Sequence, residues 1–459
     1  MPRRLLLSLT AALLALTAVL GGVATHAAAT PLPRSNARVI NHNPALTKSL
    51  RAIVRNSERP LSSLAVLTVE NGRVTFTGNF GRRYIDATRP TRSLRVNQHT
   101  KFRIASISKL VTAIGVMRLV EQGKIELDAD VSEYLGFAFR NPDFPDVPIT
   151  ARMLLSHTSS VRDGDAYVIP PANGLTDLFV SGGAFYDDGS RWASAAETPD
   201  VGPGRYFAYA NLNYGVLATM IESVTAKRFD SYMKQNVLLP LGCQASWNVR
   251  HFNKAALRNV SVLYRKLSPE DVWDAKGPWY PQVDDYRGVR PPAPEGAATY
   301  VPGTNATWQS PQGGLRISAW DLSKVMRMFL NGGRFNGTRV LKTSTVNLMF
   351  TPEWTYSPLH PNGDTYWDLM LSYGLGPHIL TNAIGDRLLA DRNVAMSGHL
   401  GEAHGLLSGM MLNFGSNDGF IYLIGGVGAD PDENFGDYST FYKWEEQIIT
   451  ATFRHELLR

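Results

Sequence analysis

The chain reads as an α+β protein in which one antiparallel sheet is covered by helices. Three observations predict this. A β-hairpin pattern stands near the start, helical patterns fill the middle, and strand patterns return after residue 365 before a last helix. Early and late strands separated by helices join most simply in one sheet with helices packed on it.

The elements follow in order. Ala45 to Arg55 has the spacing of a short helix. Leu61 to Val69 is a strand pattern, Asn71-Gly72 a turn, and Val74 to Gly78 alternates apolar and polar; together they make a hairpin. A helix begins at Ser106 and runs to about Gln122, closed by Gly123. A short helix is expected around Val131–Leu135, and Pro148 to Ser160 reads as a capped helix that ends in a polar loop. Residues 161–204 are rich in Gly, Asp and Pro and read as loops. Clear helices follow at Val216–Val224 and Phe229–Leu238. Residues 246–312 are irregular, with recurring Trp and Tyr. Amphipathic helices are expected at Ser318–Leu330 and Thr343–Phe350. Candidate strands are Leu371–Gly376, Gly405–Leu412 and Phe420–Gly426, and a helix from about Ser439 to Leu457 ends the chain.

Composition narrows the function. The 459 residues are 44% hydrophobic and 19% charged, which fits a globular protein with a sizeable core. The net charge of +6 is scattered rather than striped, so a nucleic-acid surface is not expected. Residues 1–29 carry Arg3-Arg4, a short apolar run and a small-residue end at Ala27-Ala28-Ala29, the pattern of a secretory signal peptide. The expectation is a periplasmic or secreted protein with no stable membrane insertion after cleavage. The single cysteine, Cys243, forms no internal disulfide and reads as a buried apolar residue.

The chemistry centres on Ser106-Ile107-Ser108-Lys109. On a helix, Ser106 and Lys109 share one face, and an amine beside a hydroxyl can activate it as a nucleophile. The motif alone is weak, because chance supplies about one S-x-x-K in such a chain. Ser231-Tyr232-Met233-Lys234 is such a copy, mid-helix and without chemistry-rich neighbours. Two further patterns follow in the chain. Tyr209-Ala210-Asn211 precedes a helix; a phenol beside an ammonium can be held as phenolate and shuttle protons, and an asparagine can hold a substrate amide. His399-Leu400-Gly401 places an imidazole on a strand edge, with glycine admitting a substrate to the backbone.

The order S-x-x-K, Y-x-N, H-x-G resembles the serine β-lactamase and penicillin-binding-protein superfamily, closest to its class C branch with related carboxylesterases and D-amino-acid peptidases. Leu154 to Ser159, Pro240-Leu241-Gly242 and Gly313 to Ser318 are similar to that family as well, so the resemblance spans about residues 45–455. It implies one hydrolase domain over residues 30–459, with a mostly helical second lobe at roughly 124–330 and the site between lobe and sheet. It also implies roles. Ser106 is the acylated nucleophile, Lys109 takes or relays its proton, and Tyr209 acts as general base. Asn211, His399 and Gly401 bind substrate, and the amides of Ser106 and Glu402 form the oxyanion hole. No cofactor or metal is implied.

His399 stands where class C β-lactamases carry lysine. As a weaker, pH-dependent cation it favours esters and D-alanyl or D-amino-acid peptides over β-lactams as substrate. A class C-like β-lactamase and a non-hydrolytic penicillin-binding relative are the alternatives. His157 and His404 receive no catalytic role. Gly-x-Ser-x-Gly and His-x-x-x-His are both absent from the sequence, which argues against an α/β-hydrolase and a zinc hydrolase.

Overall fold

The computed structural model describes residues 43–197 and 201–458. The predicted signal segment lies outside the described residues. Among these, no helix is long and apolar enough to cross a membrane.

The frame is a nine-stranded sheet. Its early strand Ser63–Glu70 is internal, third from one edge, and pairs antiparallel with Arg73–Tyr84 on one side and with Asp418–Ile424 on the other. Early and late strands therefore meet as expected. Leu64 and Val66 face one apolar cluster, while Ala65, Leu67 and Val69 face another. A strand buried on both faces needs a continuous apolar run, which is why Leu64–Val69 barely alternates.

Each face is closed by helices. Pro44–Val54 starts with Asn43, whose side chain accepts from the Leu46 amide at 3.0 Å, and with Pro44 at the first helical position. It packs with Lys443–Thr452, which continues in a wider turn to Leu457, and Leu50, Trp444 and Ile448 fill that side. The helix Ile107–Glu121 lies on the opposite face. It is buried around nearly its whole circumference, as an all-round apolar helix must be.

Two regions depart from expectation. Residues 246–312 are not wholly irregular: Leu263–Lys266 and Trp279–Val283 pair, and Gly426–Val427 joins them in a three-stranded sheet. The strand edge expected at His399-Leu400-Gly401 belongs to a full strand, residues 397–403, paired along its length with Leu406–Asn413. Close packing demands the glycines of this segment. A Cβ at Gly398 would lie 1.9 Å from the Met410 carbonyl oxygen. On its other side the strand is paired only at Ser397 and Gly398, with His378–Ile379, so its edge is open from His399 onward.

Candidate functional site

Ser106 holds the N-cap position of the Ile107–Glu121 helix, but its side chain makes no capping hydrogen bond, which leaves its hydroxyl to Lys109. The preceding residue, Ala105, is buried with φ +44°, a left-handed conformation that costs a non-glycine residue energy. That turn swings the chain from the strand Phe102–Arg103 into the helix and presents Ser106 to a cavity of about 390 Å³.

Lys109 lies one turn along and is fully buried. Its Nζ donates to Ser106 Oγ at 3.0 Å, to Asn211 Oδ1 at 2.7 Å and to the Gln312 carbonyl at 3.4 Å. It also stands 4.6 Å from the centre of the Tyr209 ring. Burial brings its pKa from 10.5 down to about 7, against the pull of Asp163.

Asp163 was not visible in the sequence as a site residue. Its carboxylate accepts from the Leu212 amide at 2.9 Å and from Asn211 Nδ2 at 2.8 Å. It thus caps the helix Leu212–Thr225 from outside, and Asn211, at the cap position, turns its oxygen to Lys109 instead. Nothing in its Gly- and Asp-rich surroundings distinguishes it.

Tyr209 is half-buried beside Ser106, with its ring stacked on His157 at 4.3 Å. His157 is buried, and its Nδ1 accepts from the Ala210 amide at 3.1 Å, so it supports the Tyr209 segment structurally. Burial holds the Tyr209 phenol well above its ordinary pKa, and the Ser106 hydroxyl only partly offsets this. The phenolate expected from the sequence is not what the site holds: Tyr209 is a neutral phenol.

His399 is also buried and not a cation. Burial, followed by repulsion from Lys109, lowers its pKa to about 3. Its Nδ1 bonds the Leu400 carbonyl, so the proton is assigned there, and Nε2 accepts from the Tyr373 hydroxyl at 2.8 Å. The pH-dependent cation expected at His399 is thus replaced by a neutral, doubly held imidazole.

Gly401 brings the open strand edge against Ser106. A Cβ there would lie 2.6 Å from the Ile104 carbonyl oxygen and 3.0 Å from the Ser106 nitrogen. The Ser106 amide makes no hydrogen bond among the described residues, and Glu402 follows Gly401 in the cavity wall. The Glu402 side chain accepts from the Tyr442 hydroxyl at 3.0 Å.

The cavity mouth is aromatic. Tyr366, Trp367, Phe435 and Tyr442 line it, joined by Tyr167 from the 161–204 segment. Trp367 is 78% exposed. The aromatic residues around Trp247 do not reach it. His404 lines the cavity, and Ser231 and Lys234 lie elsewhere, in keeping with a chance match.

Solved structures share this architecture. The octameric penicillin-binding protein homologue from Pyrococcus abyssi matches with a TM-score of 0.61 and 20% identity, over 91% of this chain and 78% of that one. The D-amino acid amidase from Ochrobactrum anthropi SV3, complexed with L-phenylalanine amide, matches at 0.59 and 16%, over 90% and 98%. A D-stereospecific amidohydrolase from Streptomyces sp. matches at 0.56 and 22%, over 90% and 99%. At these identities the likeness is one of fold. In sequence, Protein flp of Staphylococcus aureus strain N315 is 27% identical over 177 residues, 39% of this chain and 33% of its own length. Penicillin-binding protein 4* of Bacillus subtilis strain 168 is 25% identical over 217 residues, 45% of this chain and 39% of its own. The chain therefore spans well under half the length of these relatives. The Beta-lactamase family model matches residues 50–436, a span that runs from the first helix past the His399 strand, and the chain belongs to that family.

Proposed function

We propose that the protein is a serine hydrolase that cleaves an ester or amide through an acyl-enzyme on Ser106. The observation that carries this reading is the buried Lys109 amine, 3.0 Å from Ser106 Oγ with a pKa brought down to about 7. Near neutral pH a large fraction is unprotonated and can accept the hydroxyl proton.

Ser106 Oγ then bonds to the acyl carbon while its proton passes to Lys109. The developing oxyanion is held by the amides of Ser106 and Glu402, and such donors typically lower the barrier by about 3–4 kcal/mol each. The C–O or C–N bond to the leaving group breaks as Tyr209, a neutral phenol, hands over its proton and is reprotonated from Lys109. Water next attacks the acyl carbon by the reverse relay and frees Ser106. Asn211 holds Lys109 in place, and the strand edge from His399 to Glu402 receives the substrate backbone.

Esters and D-amino-acid amides or peptides are the favoured substrates. Neutral His399 supplies no cation for a β-lactam carboxylate, and the aromatic mouth suits an apolar acyl or side-chain group. The amidase among the structural neighbours is consistent with this choice. Export through the residue 1–29 segment belongs to the same reading.

The test compares p-nitrophenyl acyl esters, D-phenylalanine amide and nitrocefin, with mass spectrometry of a fluorophosphonate adduct. Turnover of an ester or D-amide with the adduct on Ser106 is expected. Labelling elsewhere, or nitrocefin as much the best substrate, would overturn the respective parts.

A further inference from the structure

Arg103 lines the catalytic cavity and also a second one, of about 330 Å³. Arg228, Arg250 and Arg316 share that second wall. Four guanidinium groups face two carboxylates. Asp230 pairs with Arg228 at 2.8 Å, and Asp284 takes Arg316 at 2.7 Å and stands 3.7 Å from Arg103 Nε. Arg250 donates to the Pro291 carbonyl and has no carboxylate partner among the described residues.

In the same wall the Nε of Arg228 and the indole N–H of Trp247 and of Trp308 are buried without a hydrogen-bond partner. Arg228 lies over the Trp308 ring at 4.9 Å. Half-buried cations in excess of their counterions are costly, and an anion entering the cavity relieves that cost. The planar arginine fork suits a carboxylate or phosphate oxygen pair.

We propose that this second cavity binds the anionic group of a small ligand, a carboxylate or a phosphate, with Arg250 and Arg228 as its partners. It adjoins the catalytic cavity through Arg103, but the proposal does not depend on the hydrolase reading.

Calorimetric titration of the whole chain in low-salt Tris chloride tests it, with inorganic phosphate and succinate as separate probes. Saturable one-to-one binding of at least one probe is expected, and the stronger binder identifies the ligand as phosphoryl or carboxylate. Affinity should fall at least tenfold in R250Q and in R228Q and stay within twofold in S106A. If R250Q lowers the melting temperature, R250K carries the test: it keeps the charge and loses the fork, so affinity should fall at least threefold. Binding of neither probe, affinity unchanged in correctly folded R250Q or R250K, or loss of binding after fluorophosphonate labelling of Ser106 would each overturn the proposal. The last outcome would place the anion in the catalytic cavity.

Discussion

Lys109 and His399 are two nitrogen bases in one buried wall, delivered from opposite sides of the site. Burial acts on both in the same sense, against the charged form. Lysine starts from 10.5 and arrives at about 7, where it exchanges a proton at working pH. Histidine starts from 6.5 and arrives at about 3, where it does not. The same desolvation makes one group a proton carrier and the other a fixed hydrogen-bonding post. A residue's usual role in solution is therefore a poor guide to its role here.

The strongest way to break this contrast is to remove the reacting pair. Ser106→Ala should lower ester turnover by about 10⁵-fold or more, and Lys109→Ala by about 10²–10⁴-fold, in steady-state p-nitrophenyl ester kinetics. Asp163→Ala comes next. It frees Asn211 and uncaps a helix, and a loss of about tenfold in kcat/KM is expected, with Asp163→Asn recovering part of it.

The pH–rate profile sharpens the contrast directly. Because unprotonated Lys109 is the base, kcat/KM should rise as pH rises through about 7. His399→Asn should keep that limb, and a limb that disappears with His399 would reverse the two assignments. Stability should report the histidines instead. His399 and His378 have folded pKa values near 3 and 4 against 6.5 when unfolded. The unfolded chain alone therefore takes up protons as pH falls from about 6.5 toward 4, and stability drops across that window. Thermal melts should show the drop, and His378→Asn should flatten it. The smallest effect is Tyr373→Phe, which removes the hydroxyl donor to His399. About 1 kcal/mol is at stake, so KM should move by less than tenfold with kcat nearly unchanged.

Much of the frame was legible in the sequence. The run Leu64–Val69, the Asn71-Gly72 turn and the late strand at Phe420 carry strong local signals, and their pairing follows from burying both faces of one strand. The strand edge at His399-Leu400-Gly401 was legible but the full extent of its strand, residues 397–403, was not, because its glycines interrupt the alternation that marks a strand. Asp163, Tyr373 and Gln312 were hidden too, since their roles come entirely from partners distant in the chain.

The sequence by itself determined that Ser106 and Lys109 lie one helical turn apart, because helix geometry needs only neighbouring residues. It also determined that a tyrosine–asparagine pair and a histidine–glycine edge would follow. The tertiary structure decided their chemical states. Whether an amine, a phenol or an imidazole carries charge depends on how much water and which charges surround it, and the fold assembles those surroundings from distant segments.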